Sequence, residues 1–292
     1  MANSLQDFEK RFDIPGLHKL EGIEVTTATA TDKIIENIKA NRNTMAPIHR
    51  MHEWRENKPI AIVGGGPSLK SQLDKLKTFP AIIACGSVHD HLIENNIIPT
   101  YCAICDPDVI MNTYLSRHNE QTKYLIASQC DPSTFKLLED RNSYIYHLAG
   151  DKFDQSIYGE GQIPIGGGCT VGTRAIAIAM GFGYYNMHLF GFDTCLQEKE
   201  EKIEHHAYDF NTPEEKIHDV YEIKFEVDGP TFKVAGYHLG QLFDIKSLMG
   251  RNADKMQLTV HGESLLSYFM ELAQKRLVLL NEEKAKENGN GK

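Results

Sequence analysis

Lys58-Pro59-Ile60-Ala61-Ile62-Val63-Gly64-Gly65-Gly66-Pro67-Ser68-Leu69 is the stretch that decides the fold. Residues 60–63 are apolar without a break, so they form a strand with no wet face, and three glycines end it. A strand buried on both sides belongs to a parallel sheet covered by helices. Glycines at its carboxyl end let the backbone approach a ligand closely. The helix start beyond them offers unpaired N–H groups and a positive dipole end to an anion. Ser68 is placed to cap that helix or to donate to a phosphate. The turn is neither a G-x-G-x-x-G, since position 69 is Leu, nor a Walker loop, since no Gly-Lys-Ser/Thr closes it. It reads as a phosphate cradle, with a purely structural turn as the alternative.

Working outward, short apolar strands at 81–84, 101–105, 124–127, 144–148 and 187–190 alternate with helices at 69–76, 89–95 and 170–180. This predicts a Rossmann-like α/β fold with a mostly parallel sheet and helices on both faces. Residues 1–57 are polar, with helices predicted near 5–12 and 31–42, and are expected to form an N-terminal helical arm for packing or homo-oligomer contact. The nucleotide-binding core is expected at 58–195. Residues 196–285 are expected to complete the same domain, with a mobile polar insert at 197–204. There the alternation of Tyr221, Ile223, Phe225 and Val227 with charged residues predicts a hairpin around Asp228-Gly229-Pro230. A helix at 242–249, a strand at 256–260, a long helix from 264 and a disordered tail at 286–292 follow.

Composition narrows the function classes. The 292 residues are 41% hydrophobic and 24% charged, ordinary for a globular protein with a sizeable core. A net charge of −9 argues against duplex nucleic acid as partner. No run approaches the roughly 18 apolar residues of a membrane span, and the first dozen residues lack the apolar centre of a secretory signal. The expected location is cytoplasmic. Of six cysteines, Cys102 and Cys105 form a C-x-x-C. An odd offset on a strand sends them to opposite faces, so they read as core thiols rather than a redox or zinc pair.

Ligands of open α/β sheets bind outside the carboxyl ends of the strands. Polar groups at successive strand ends therefore converge: Gly86 and Ser87, then Asp106 and Asp108 around Pro107. Asp106 is suited to a ribose hydroxyl, a base amino group or magnesium, or simply to capping its turn. A second glycine turn, Gly166-Gly167-Gly168-Cys169-Thr170, opens the small-residue helix and is a second anion-ready helix start. Of thirteen histidines, His205, His206, His238 and His261 lie in the later region and are suited to general acid–base work. His205 and His206 are adjacent and do not have zinc spacing.

Three blocks together carry a resemblance: residues 58–69, the Asn96-Ile97-Ile98-Pro99 segment leading to Asp106, and residues 166–171 through Gly191-Phe192-Asp193. They resemble the MptE-like group, which includes the archaeal 6-hydroxymethylpterin diphosphokinase and the Maf flagellin glycosyltransferases. The likeness spans about residues 58–195. Gly64 to Leu69, Cys169-Thr170-Val171 leading to Asp193, and Glu263-Ser264-Leu265-Leu266 are also similar to motifs of Rossmann-like bacterial sialyltransferases. That resemblance implies a nucleotide or CMP-sugar site at Gly64, Gly65, Gly66, Pro67, Ser68, Gly86, Ser87, Asp106, Gly167, Gly168, Cys169, Thr170, Asp193, Tyr208 and Ser264. It also implies His238 as the base, with His206 as alternate. Where the family has a serine this chain has Cys169, and where it often has an asparagine it has Gly65. Both changes remove donors.

Three readings follow. The first is a glycosyltransferase using a nucleotide-activated sugar, with no metal required. The second is a diphosphokinase that moves pyrophosphate from ATP to a hydroxymethyl group, with Mg2+ on Asp106, Asp108 or Asp193. Against it, only Lys70 and Arg174 lie near the glycine turns. The third is a non-catalytic nucleotide-binding module.

Overall fold

The computed structural model describes residues 10, 12, 29–51, 58–150, 154–199, 202–204, 206–208, 220–226, 228–252 and 254–289. The predicted helix at 5–12 lies, but for Lys10 and Phe12, outside them, as do residues 290–292 of the expected tail.

The centre is a seven-stranded, wholly parallel sheet. Its first five strands follow one another in space: β1 (Pro59–Val63), β2 (Ile82–Cys85), β3 (Tyr101–Ile104), β4 (Lys123–Ala127) and β5 (Ser143–Tyr146). The chain then crosses back, and β6 (Asn186–Phe190) pairs with the other side of β1. The strand order reverses there, between β1 and β6. Crossovers to parallel strands need room, which the helices between them supply. Ile60 to Val63 are fully buried, each large side chain adding roughly 1.5–3 kcal/mol.

The described N-terminal segment packs on the sheet. Helix α1 (Thr31–Asn41) buries Asn37 and Asn41 against the loop after β4. Asn41 Nδ2 donates to the carbonyls of Ser128 (3.0 Å) and Cys130 (2.7 Å), and Asn37 Nδ2 to that of Gln129 (3.0 Å). Pro47 bridges Ile145 and so covers the β5 edge, an edge that would otherwise offer unpaired backbone. Phe12 stacks on Phe269, with centroids 5.3 Å apart.

The segment after β1 is a 3-10 turn at Pro67–Ser71 followed by one α turn, α2 (Leu73–Leu76), not the continuous helix expected. Helices α3 (His89–Glu94), α4 (Pro132–Leu137) and α5 (Val171–Gly181) follow β2, β4 and β5. Instead of a structureless insert, residues 197–204 contain a short antiparallel pair, β7 (Gln197–Lys199) with β8 (Lys202–Glu204). The expected hairpin is present as β9 (Tyr221–Lys224) and β10 (Thr231–Val234), with Ile223 and Phe225 in the core. Helix α6 (Gly236–Arg251) is longer than predicted. Strand β11 (Gln257–His261) then joins β6 at the sheet edge. Helix α7 (Leu265–Gly289) runs through the first residues of the expected tail. Among the described residues, no helix is long and apolar enough to cross a membrane. All six cysteines are free, and Cys102 is buried in the sheet.

Candidate active site at the switch point

The carboxyl ends of β1 and β6 press together where the strand order reverses. Gly64 N–H donates to the Phe190 carbonyl (2.8 Å) and Gly66 N–H to that of Gly191 (2.9 Å). Gly191 has φ +63°, and a Cβ there would stand 2.4 Å from the Gly64 carbonyl oxygen, so neither turn admits a side chain. Above them opens a cavity of about 590 Å3. Topological switch points are where open α/β sheets bind ligands.

Twelve of the expected residues line this one cavity: Gly64, Gly65, Gly66, Gly86, Ser87, Asp106, Asp108, Cys169, Thr170, Asp193, His206 and His238. Pro67 and Ser68 are buried behind it, and Gly167, Gly168, Tyr208 and Ser264 are not among its lining. Ser264 instead caps α7: its Oγ accepts from Ser267 N–H (3.1 Å) and its own N–H donates to Ser267 Oγ (2.9 Å). Tyr208 acts from a second layer, its phenol 2.7 Å from Ser87 Oγ and its ring stacked on His206 at 5.2 Å. His205 lies outside the described residues.

Both glycine turns differ from the open anion cradles expected. Ser68 N–H donates to Asp193 Oδ2 (2.9 Å), and Ser68 Oγ bonds to Oδ1. At the second turn, Cys169 N–H donates to Asp244 Oδ2 (2.6 Å). Each turn already holds a carboxylate of the chain itself. The Asp193 carboxyl is pushed up to about 6, by burial first, while its two Ser68 bonds pull it down. The Cys169 thiol is pushed up to about 12, by burial and then by Asp244. Asp106 and Asp108 each accept from a local backbone N–H, of Asp108 and of Ile110, both at 2.9 Å. Among the described residues, no cluster of three His, Cys, Asp or Glu is placed to hold a metal.

His238 opens α6, where its Nδ1 accepts the Ala235 N–H at 3.0 Å. A neutral imidazole whose Nδ1 lone pair is so engaged carries its proton on Nε2, which makes it a donor.

Several cavity residues escaped the sequence reading, among them Thr29, Gln129, Tyr237 and Gln241. Gln129 lies two residues beyond the end of β4, so the strand-end rule points to it. Gln241 and Asp244 follow His238 at i+3 and i+6, a spacing that puts all three on one helix face. Gln241 Nε2 reaches Thr170 Oγ1 at 3.2 Å.

Comparison with known proteins agrees with this architecture. The chain matches no curated protein. Among solved structures, a Maf glycosyltransferase from Magnetospirillum magneticum AMB-1 superposes with a TM-score of 0.57 at 15% identity. The match covers 87% of this chain and 43% of that one, and at this identity it is a likeness of fold. Residues 32–199, more than half of the chain, match the family described as 6-hydroxymethylpterin diphosphokinase MptE-like, and the chain belongs to this MptE-like family.

Proposed function

We propose that this chain is a glycosyltransferase that passes a sugar from a nucleotide-activated donor, a CMP-sugar, to an acceptor hydroxyl. The observation that carries the reading is one cavity, of nucleotide-donor size, at the switch point between β1 and β6, lined by parts of both glycine turns. Its charge supports the choice of donor. Asp106, Asp108 and Asp193 line it, and no lysine or arginine is among its described lining residues. Such walls favour a donor with a single phosphate charge, and the phosphodiester of a CMP-sugar carries one.

In this reading His206, on the cavity wall, takes the acceptor proton. The acceptor oxygen bonds to the anomeric carbon, and the bond from that carbon to the donor phosphate breaks. The charge that develops on the leaving nucleotide meets hydroxyls of Ser87 and Thr170, the N–H groups of Val171 and Gly172 at the start of α5, and the Nε2–H of His238. The roles of the two histidines are thus exchanged relative to the sequence expectation, because Nδ1 of His238 is already engaged. No protein metal is called on.

A second reading, the diphosphokinase, is favoured by one observation: Asp106 and Asp108 stand together on the cavity wall. One or two carboxylates plus substrate phosphates are an ordinary magnesium site. A thermal-shift panel of CMP, UDP, GDP, ADP and ATP, with and without magnesium, separates the readings. A raised midpoint with CMP in the absence of metal supports the first. A response to ATP that needs magnesium supports the second, and no response to any nucleotide overturns both.

A further inference from the structure

We infer that Asp244 sets the charge of the donor: its carboxylate fills the second glycine turn and so selects a nucleotide with one phosphate over di- and triphosphates. The inference rests on the nucleotide reading above.

The contact is built into the fold from both sides. Helix α6 carries Asp244 to the turn, and Gln241, one helical step earlier, is tied to Thr170 of the same turn. Residue 168 has φ +104°, and a Cβ there would lie 2.1 Å from Asp244 Oδ2. Only glycine both adopts that conformation and leaves room for the carboxylate. The field of Asp244 reaches the cavity wall, since it helps to hold the Cys169 thiol protonated.

The other turn offers a diphosphate no better seat, because Asp193 takes the Ser68 N–H. Arg174 opposes Asp244 at Cys169, but more weakly than Asp244 acts there. Arg174 Nη1 donates to the carbonyls of Ala149 (3.2 Å) and Ile165 (2.8 Å). One phosphate can use the remaining donors around Ser87 and the α5 start. Each further phosphate adds like charge beside Asp244 and Asp193, in a cleft where like charges repel more strongly than in water.

The test is calorimetric binding of CMP, CDP and CTP in EDTA, with the adenosine series in parallel, to wild type and to Asp244→Asn. The amide keeps an acceptor for Cys169 N–H and removes the charge. Thermal midpoints recorded alongside report any structural loss. Wild type is expected to bind in the order CMP, CDP, CTP, tightest first. The variant is expected to gain less than about twofold for CMP, about fivefold for CDP, and more for CTP. Unchanged affinities, or an equal gain for all three, overturn the inference, the latter because the carboxylate would then compete with any anion. Wild type binding CTP more tightly than CMP overturns it even if the variant does not fold. If neither series binds wild type, the nucleotide reading itself falls, and this inference with it.

Discussion

Gly65 and Tyr208 share one volume: a Cβ on residue 65 would stand 2.5 Å from the Tyr208 phenol oxygen and 3.0 Å from His206 Nδ1. Residues 206–208 lie on the first glycine turn, pinned by Ala207 N–H to the Gly65 carbonyl at 2.8 Å. The missing side chain is therefore what lets His206 reach the cavity wall with Tyr208 packed behind it. Gly65→Ala is expected to lower both the thermal midpoint and nucleotide affinity. Tyr208→Phe alone loses one hydrogen bond, about 1 kcal/mol. Added to Gly65→Ala, it removes the closest clash and should raise the midpoint of that variant. A double-mutant cycle in which the two losses simply add would show that the volumes are independent.

Asp193 makes stability depend on pH. Its folded carboxyl is raised from an ordinary 3.8 to about 6, so the native state holds the proton more tightly than the unfolded chain. The resulting stabilisation is complete below the unfolded value and is lost as pH rises through the folded one, at most about 3 kcal/mol for a shift of this size. Denaturant titrations of wild type and Asp193→Asn should therefore diverge between about pH 4 and pH 6. Parallel curves across that window would show that the carboxyl titrates normally.

The two histidines should fail in different ways. His206→Ala is expected to cut kcat by about a hundredfold or more while nucleotide affinity holds. His238→Ala should lower the midpoint, since the α6 start loses a cap worth about 1 kcal/mol, and should weaken nucleotide binding. Steady-state kinetics beside binding isotherms separate the two. A His206 variant with full turnover would remove that residue from the chemistry.

Cys169 is surface-accessible, yet its thiol is pushed up to about 12 by burial of the sulfur and by Asp244. The thiolate is the reactive form. Alkylation by iodoacetamide at pH 8, followed by intact mass, should leave wild type largely unmodified and modify Asp244→Asn faster. Rapid labelling of Cys169 in wild type would contradict the geometry at this turn.

Asn41 ties the N-terminal helix to the sheet through two carbonyls, Ser128 and Cys130. Asn41→Ala leaves both buried without that donor, at a cost of about 2–3 kcal/mol. Chemical denaturation should show a single transition at lower denaturant. A loss of α1 alone, with the sheet transition unmoved, would mean that the segment is an appendage after all.

The sheet was legible because its strands are short, wholly apolar runs, and burial on both faces leaves few other ways to arrange them. The converging strand ends were legible for the same reason, once the parallel order was assumed. The packing of the first segment was not legible, because a polar residue that satisfies buried carbonyls, as Asn37 and Asn41 do, looks, in sequence, like one that faces water. The pairing of β7 with β8 was hidden by its charge, and Ser264, named through the resemblance of Glu263-Ser264-Leu265-Leu266 to a family motif, is seen in the structure to cap α7.

The sequence by itself determined the parallel α/β core, the glycine turn after β1 and the set of polar residues at the strand ends. These follow from local pattern and from the handedness and spacing of strand crossovers. Only the tertiary structure decided what occupies the turns. Asp193 and Asp244 stand 125 and 75 residues from the amides they accept from, and no local rule links groups that far apart. The same holds for Tyr208 over Gly65 and for the backbone N–H that sets the His238 tautomer. Those contacts exist because the packed helices and sheet bring distant segments within hydrogen-bond reach, and they set a carboxylate of the chain itself in each glycine turn.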